Sequence, residues 1–232
     1  MVNVDTVYQR VLAIANKEQR GYITPLEFNL MANQAQLDVF EQYFYDKNQN
    51  ERLPGNDTDY SDVSDMLNEK ISMFEVNGTV NGGTTLPFDL YRLSTVNVDI
   101  FNDGNLREVE YVDHKDWMYL RNSPLTAATN KRPIYTRDSG GIIVIAARNA
   151  QVLLNVTCNY VRQPNKVEWG YDIINEMALY QPATSTNFGH HSSDETELVM
   201  KILELAGIIM NKPGLVQIAG TEDIQKIQQE KM

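Results

Sequence analysis

This chain of 232 residues lacks several features on which whole classes of protein depend. It has a single cysteine, Cys158, so no disulfide can form within the chain, and a reducing cytoplasm suits its assembly. Its longest apolar runs, such as GIIVIAA, are far shorter than a membrane span. Its first residues, MVNVDTVYQR, lack the basic start and apolar core of a signal peptide. We therefore expect a soluble protein that has no membrane partner.

Basic residues are also too few to hold nucleic acid by neutralising its phosphates. The chain has 20 lysines and arginines against 31 aspartates and glutamates, which gives a formal net charge of −11. Tight binding to the DNA backbone needs clustered basic side chains, which release counterions on contact. We expect passing double-stranded DNA to be repelled. With 42% hydrophobic residues, the chain still has enough apolar material for a packed core.

The sequence contains no recognisable catalytic motif. A P-loop, a GxGxxG fingerprint and a GxSxG elbow are all absent. The segment RDSGG, residues 137–141, is similar to the nucleophile segment of trypsin-like serine proteases, but that family's histidine motif and disulfides are missing. Because Asp-Ser-Gly-Gly lies between two strand patterns, we interpret it as a hairpin turn.

Two polar groups partly match the pattern of a metal site. Asp46, Asn48 and Asn50 have the first three ligand spacings of a calcium loop, but glutamate replaces the glycine that such a loop requires at its sixth position. We predict a solvated loop over residues 46–57.

The second group is the pair His190 and His191 beside Asp194 and Glu195. Adjacent histidines lack the HxxxH geometry of a helical metal site, so we expect these histidines to face solvent. His114, in VDHKDW, is expected at the start of a helix. We accordingly predict no catalytic residue, no cofactor-binding residue and no metal ligand, and we do not expect an enzyme or a cofactor.

The N-terminal part of the chain has helical periodicity. Apolar residues recur at helical spacing over residues 4–18, and Thr24 with Glu27 forms a capping box that begins a second helix over 24–45. One apolar stripe on this second helix consists of Phe28, Ala32, Ala35, Val39 and Tyr43, and another consists of Leu26, Leu30, Leu37, Phe40 and Phe44. Such a helix needs two partners, as the middle helix of a monomeric bundle or as a helix that also contacts another subunit. A short helix is predicted over 61–71.

The period changes to that of strands between Met73 and Glu168. STVNVDIF and REVEYV alternate and are predicted to form a hairpin with a tight turn at Asp103-Gly104. GIIVIAA reads as a buried strand, and HKDWMYLRN as one or two helical turns. QVLLNVTCNYV places one set of apolar side chains on a single face, namely Val152, Leu154, Val156, Cys158 and Tyr160. These strands predict an antiparallel β-sandwich or small barrel.

Helical periodicity returns after Trp169. YDIINEMALY is predicted to be a helix that ends near Gln181, and ATSTNFGHHSS a polar loop. Ser192 and Glu195 have the spacing of a second capping box, which begins a largely buried helix. The predicted fold class is therefore α+β. Its helical bundle comes from both chain ends, residues 1–72 and 169–232, and its antiparallel β-domain spans residues 73–168.

Three segments together carry a resemblance to a known family. They are VYQRVLAIANKEQRGYITPLEFNLMANQAQLDVFEQYF, then LPFDLYRLSTVNV with KRPIYTRDSGGIIVIAARNAQVLLNVTCNYVRQP, and finally SSDETELVMKILELAGIIMNKPGLVQIAG. They resemble virion structural proteins of tailed phages, in particular the head-to-tail ring or adaptor proteins of crAss-like and related short-tailed phages. The resemblance covers most of the chain.

The resemblance implies a homo-oligomeric ring, a dodecamer, that lies beneath the portal and continues its DNA channel. Its partners would be the portal protein, other tail or ring proteins, and double-stranded DNA that passes without tight binding during packaging and ejection. The protein would be assembled in the host cytoplasm and would reside at the head-tail interface of the virion. No catalytic motif defines this family, so none is implied here. We further expect residues 221–232 to contact an adjoining subunit or a neighbouring virion protein.

Two alternatives from other classes stay open. The β-domain could be a receptor-binding or carbohydrate-binding module on a helical stalk, which the aromatic residues Trp117, Tyr119, Tyr135 and Trp169 would favour. The other alternative is a hydrolytic enzyme that uses His114, Ser139 or His190.

Overall fold

A computed structural model of the chain describes residues 1–17, 23–52, 61–139, 141–146, 151–152 and 155–209. The described part is mixed, with five α-helices and several mainly antiparallel sheets, and its strands form no closed barrel. The chain divides into two compact units. Unit 1 comprises Met1–Met73 and Pro164–Met232, and unit 2 comprises Phe74–Gln163.

Unit 1 contains four helices from the two ends of the chain. They are α1 (Val4–Lys17), α2 (Pro25–Arg52), α3 (Ser61–Ser72) and α5 (Glu195–Ile209). Both α1 and α2 pack against α5, and α3 packs against α2. The predicted helices over 4–18 and 61–71 are therefore confirmed to within one residue at each end.

The capping box at the start of α2 is confirmed. The Thr24 amide donates to Glu27 Oε2 at 2.9 Å, and the Glu27 amide donates to Thr24 Oγ1 at 3.3 Å. The hydrogen bond from the Thr24 amide lowers the pKa of Glu27, because it favours the ionised carboxylate. Two amides at a helix start thus have side-chain partners.

The two apolar stripes of α2 have different surroundings. The whole first stripe is buried: Phe28, Ala32, Ala35, Val39 and Tyr43. The second stripe is not uniform, because Phe40 is fully buried and Phe44 half-buried, whereas Leu26, Leu30 and Leu37 are exposed. Phe40 therefore belongs to the core of unit 1 and not to an exposed face of α2.

The helix α2 is longer than the sequence indicated. It continues to Arg52, so Asp46, Asn48 and Asn50 lie on a helix and not in the predicted solvated loop. Calcium ligands in that motif come from a non-helical loop, so this helical conformation contradicts the match. The remainder of the predicted loop, from residue 53 to residue 57, lies outside the described residues.

Side-chain amides on α2 hold an extended segment, residues 165–169, against the helix. Asn33 pairs with the backbone of Val167 in both directions, at 2.8 and 2.9 Å. Asn29 pairs in the same way with Trp169, and Gln36 donates to the carbonyl of Asn165 at 2.8 Å.

The spacing explains why this arrangement repeats. Four residues of helix advance about 6 Å, and two residues of extended chain advance about 6.6 Å. Amides at Asn29 and Asn33 therefore meet alternate residues of the segment, as a neighbouring strand would. We call Asn29, Asn33 and Gln36 the amide ladder.

The predicted helix YDIINEMALY is wrong. This segment forms a β-hairpin of β8 (Tyr171–Ile174) and β9 (Met177–Tyr180), paired antiparallel. Its two-residue turn, Asn175 and Glu176, has positive φ at both positions, which is the geometry of a type I′ turn. The rings of Tyr171 and Tyr180 lie 5.8 and 5.7 Å from the buried ring of Trp169, which anchors the base of the hairpin.

The segment after this hairpin is not the polar loop that the sequence predicted. Phe188 and His190 are fully buried, and the Phe188 amide donates to the carbonyl of Val2. The Asn187 side chain accepts from the Val4 amide at 3.0 Å, at the start of α1. Phe188 and Asn187 thus attach the segment that follows the hairpin to the N-terminal end of α1.

The predicted capping box of Ser192 and Glu195 is also absent from the described residues. A 3-10 turn over Ser192–Asp194 precedes α5, and the His191 ring accepts from the Ser193 amide at 3.2 Å. Glu195 forms an ion pair with Arg10 instead. Residues 221–232, for which a contact with another subunit or virion protein was expected, lie outside the described residues.

Unit 2 contains a four-stranded and a three-stranded sheet. The first has the order β1-β7-β2-β3 and is antiparallel, with β1 (Glu75–Thr79), β2 (Leu90–Val98), β3 (Arg107–Glu108) and β7 (Val156–Arg162). The second has the order β4-β5-β6, with β4 (Glu110–Tyr111), β5 (Ile134–Asp138) and β6 (Gly141–Ile145). Both sheets contribute to one hydrophobic core, which includes Val96, Cys158, Tyr135, Ile142 and Val144.

Two details of unit 2 differ from the expected strands. The β2–β3 hairpin is confirmed, but its loop runs over residues 99–106 and is not a tight turn at Asp103-Gly104. After Val109 the chain leaves the first sheet, and β4 pairs parallel with β5. The Asp99 carboxylate shapes the long loop, because it accepts from the amides of Asp103 and Gly104 at 3.2 and 2.9 Å.

Other predicted elements of unit 2 are confirmed. Residues 137–141 contain the turn between β5 and β6, with Asp138 paired to Gly141. HKDWMYLRN is α4 (His114–Asn122), and the Asp113 side chain accepts from the His114 amide at 2.7 Å. On β7, Val156, Cys158 and Tyr160 are buried as the alternation predicted.

Candidate functional site

The most conspicuous surface feature of unit 1 is an apolar face on α2. Leu26, Leu30 and Leu37 are 65%, 69% and 40% exposed. Positions 26, 30 and 37 lie on one side of a helix, because successive offsets of four and seven residues return close to the same angle. We call these three residues the leucine face. It lies beside the amide ladder, since Asn33 is three residues from Leu30 and four residues from Leu37 along the helix.

A second exposed apolar surface is the outer part of the β8–β9 hairpin. Its exposed apolar side chains, which we call the hairpin tip, are Ile173, Ile174, Met177 and Leu179. Register places Ile174 opposite Met177 and Asp172 opposite Leu179, so these four residues share the face that points away from Tyr171 and Tyr180. Ile173 lies opposite Ala178 on the other face, the one that carries Tyr171 and Tyr180. Two-stranded hairpins are only marginally stable alone in water, so this element depends on Trp169 and on any further partner.

A buried polar cluster lies deeper in unit 1. The Asp194 carboxylate is fully buried, and it accepts from Lys70 Nζ at 2.8 Å and from the Tyr43 hydroxyl at 2.7 Å. The His190 ring lies 5.9 Å from the Tyr43 ring. These contacts join α2, α3 and the start of α5. We call Tyr43, Lys70, His190 and Asp194 the Asp194 cluster.

Electrostatics keep Asp194 ionised and His190 neutral. Burial alone would raise the pKa of Asp194, but the hydrogen bonds and charge of Lys70, with the Tyr43 hydrogen bond, lower it below its usual value. Burial lowers the pKa of His190 to about 4, despite the nearby negative charge of Asp194. Burial and then the Asp194 charge raise the pKa of Tyr43. The cluster is therefore one ion pair, with a neutral tyrosine that donates a hydrogen bond to it and a neutral histidine ring beside that tyrosine.

The structure places His114, Ser139 and His190, the residues of the hydrolase alternative, in different elements. His190 is buried, so the expectation that it faces solvent was wrong, and Asp194 is an ion-pair partner beneath the surface. His114 begins α4, and Ser139 lies in the β5–β6 turn with its amide bonded to Asp138. No hydrogen bond between His114 and Ser139 occurs in the described part of the chain.

Metal-binding and membrane-spanning features can be assessed only over the described residues. Within them, no group of three or more histidine, cysteine, aspartate or glutamate side chains could hold a metal ion. None of the described helices combines the length and apolarity that crossing a bilayer requires.

No family model and no curated protein matches this sequence.

Sequence reasoning missed the amide ladder, the hairpin tip and the Asp194 cluster. A signal for the ladder existed, since Asn29, Asn33 and Gln36 place amides at helical spacing beside an apolar stripe. The hairpin had no Asn-Gly or Asp-Gly turn to reveal it. The Asp194 cluster combines residues that are distant in sequence, so periodicity could not find it.

Proposed function

We propose that the chain is a virion structural protein that forms an adaptor ring between the portal and the tail of a tailed phage. In this proposal the ring lines the DNA channel and docks tail proteins, and the fold is a helical bundle with an inserted β-sandwich. The protein would act at the head-tail interface, and no catalytic step is needed for that role. The resemblance of the three quoted segments to phage adaptor proteins suggests the role.

The leucine face is the observation that carries the proposal. A monomeric bundle would cover both stripes of its middle helix, but here three leucines of α2 remain exposed beside a buried first stripe. Apolar patches of several hundred Å² on a soluble surface usually mark an interaction site. An assembly of many copies would bury this face on every subunit.

The acidic charge agrees with a conduit for DNA. At a net charge of −11, the chain would repel the phosphate backbone, so DNA could pass without the affinity that counterion release gives to basic proteins. The ring would then bind the portal and tail proteins through surfaces that do not line the channel.

The carbohydrate-binding alternative has less support. Of the four aromatic residues that favoured it, Trp117, Tyr135 and Trp169 are buried, and only Tyr119 is exposed. Sugar-binding platforms need exposed ring faces, so three of these rings are unsuited to that function.

Electron microscopy of the purified full-length chain tests the proposal. We expect closed rings with a central opening wide enough for duplex DNA. Particles of single-chain size at every concentration, combined with binding to a glycan array, would favour the module instead.

A further inference from the structure

We infer that Asn81-Gly82, in the turn after β1, is a site of self-modification. The backbone nitrogen of Gly82 attacks the side-chain amide of Asn81 and converts this asparagine to aspartate and isoaspartate. The reaction takes place within one chain and needs only water as co-reactant. It is therefore independent of the proposed ring.

Three residue pairs in the described part of the chain have a sequence that suits this reaction, an asparagine or aspartate followed by glycine. They are Asn77-Gly78, Asn81-Gly82 and Asp103-Gly104. Glycine has no Cβ to obstruct the approach of its nitrogen to the preceding side chain. The reactive pair is the one whose glycine amide is free, because an amide that donates a hydrogen bond is held in place.

The amide of Gly78 is held in the sheet. The Val80 amide donates to the Val156 carbonyl at 2.9 Å, and hydrogen-bonded pairs alternate along an antiparallel ladder. Gly78 lies two residues earlier, opposite Cys158, so these two residues form a hydrogen-bonded pair of the same ladder. Asn77-Gly78 is therefore fixed in an extended conformation.

The pair Asp103-Gly104 is held by side chains. The Gly104 amide donates to Asp99 Oδ2 at 2.9 Å. The Asp103 carboxylate accepts from the Asn105 amide at 3.0 Å. Both groups that would have to react are thus engaged elsewhere.

Neither restraint applies to Asn81-Gly82. Both residues are exposed, and Gly82 has a φ of 61°, in the left-handed region. A Cβ added to Gly82 would meet no atom within 4 Å, so the space around it is open. Among the described residues, neither the Gly82 amide nor the Asn81 side chain has a hydrogen-bond partner. Both reacting groups can therefore move together.

The chemistry proceeds through a cyclic imide. The Gly82 nitrogen forms a bond to Cγ of Asn81, and the bond from Cγ to Nδ2 breaks. The proton of the Gly82 amide leaves with Nδ2 as ammonia, and nothing is oxidised or reduced. Water then opens the imide. Attack at Cγ gives aspartate, and attack at the main-chain carbonyl carbon gives isoaspartate, in which the main chain runs through Cγ.

The turn that contains Asn81 is attached to the second sheet of unit 2. The backbones of Asn81 and Thr85 bond in both directions at 3.0 Å, and the Ile142 amide of β6 donates to the Thr84 carbonyl at 2.9 Å. Isoaspartate lengthens the main chain at position 81, so it displaces the bonds that shape the turn. The modification therefore loosens the attachment of the turn to β6.

Incubation of the purified full-length chain in mildly alkaline buffer tests the inference. Peptides from timed samples are analysed by tandem mass spectrometry, with electron-based fragmentation to separate isoaspartate from aspartate. We expect Asn81 to convert at least about tenfold faster than Asn77, because the ladder must open before Gly78 can react. In concentrated urea, which removes the fold, the two asparagines should convert at similar rates.

Two variants test the consequence for β6. Asn81→Gln should abolish the fast conversion, because the longer side chain closes the corresponding ring far more slowly. Asn77→Gln is the matched control and should leave the fast conversion intact. After incubation, the Ile142 amide should exchange hydrogen about tenfold faster or more in the wild type and in Asn77→Gln, but not in Asn81→Gln.

Equal conversion of Asn77 and Asn81 in the folded chain would overturn the inference. So would an unreacted Asn81 in the folded chain beside conversion in urea. Conversion at Asn81 without faster exchange at Ile142 would overturn the proposed effect on β6. All three results leave the ring to its own test, electron microscopy of the unmodified chain.

Discussion

At the scale of single residues, the Asp194 cluster is where burial and charge matter most. Asp194 is fully buried, and its ion pair with Lys70 is supported by the Tyr43 hydroxyl. Removing one partner of a buried pair leaves a charge without compensation, which costs far more than losing an exposed pair. The junction of α2, α3 and the start of α5 therefore should not tolerate the loss of one partner alone.

Replacing Asp194 by asparagine should lower the free energy of unfolding by about 2–4 kcal/mol, because Lys70 would lose its carboxylate. Urea denaturation, monitored by circular dichroism, measures this change in the free energy of unfolding. Arg132→Gln is the control, since the ion pair of Arg132 with Glu110 is exposed. It should cost less than about 1 kcal/mol. Equal costs for both variants would contradict this role of burial.

His190 gives a prediction about pH. Its folded pKa of about 4 lies below the ordinary 6.5, so between these values the unfolded chain binds a proton that the folded chain does not. Stability should be fully present above pH 6.5 and should decrease by up to about 3 kcal/mol as the pH falls toward 4.

Urea midpoints measured from pH 4.5 to pH 7 test this prediction, with His190→Gln as the comparison. The variant should be less stable at neutral pH and should show a flatter dependence over this range. If stability changes equally with pH in both proteins, a group other than His190 causes the pH dependence.

At the scale of helices and strands, local signals predicted some elements well. Thr24 and Glu27 mark the start of α2 because a capping box depends only on neighbouring residues. Alternation identified β2 and β7, whose inward side chains enter the shared core. Elements whose conformation depends on distant partners were missed.

The β8–β9 hairpin is an element whose conformation depends on a distant partner. Tyr171, Ile174 and Ala178 fit a helical period, and Asn-Glu is a weak turn signal. Stacking of Tyr171 and Tyr180 on Trp169 favours the strands, and nothing in the local sequence reveals that contact. The expectation for His190 was wrong for the same reason, since this ring contacts Tyr43 and Gln36, which are distant in sequence.

The amide ladder gives a prediction at this scale. Asn33→Ala leaves both the N–H and the C=O of Val167 without their side-chain partner, and should lower the free energy of unfolding by about 1–3 kcal/mol. Gln34→Ala, one residue further along α2 and exposed, should change it by no more than about 0.5 kcal/mol. Denaturant titration of the two variants compares them. If both change stability equally, the ladder does not hold the 165–169 segment.

At the scale of the whole molecule, the acidic subunits of the proposed ring would have to associate against their own repulsion. Each copy has a net charge of −11, and Asp172 and Glu176 flank the hairpin tip. An interface held by apolar contact should therefore tighten when salt screens the repulsion. Analytical ultracentrifugation should show a larger assembled fraction at about 300 mM than at about 20 mM NaCl. Dissociation by added salt would indicate ion pairs instead.

The central claim is that the leucine face assembles the ring, and native mass spectrometry of the wild type beside Leu30→Asp tests it most directly. An aspartate there would bury an unpaired charge in each contact, at roughly several kcal/mol. Met66→Asp, on the exposed part of α3, is the control. We predict one discrete wild-type species, about 320 kDa for twelve chains of 26.5 kDa, the same species for Met66→Asp, and monomers for Leu30→Asp. A wild type that stays at 26.5 kDa, or a Leu30→Asp variant that assembles unchanged, would contradict the account.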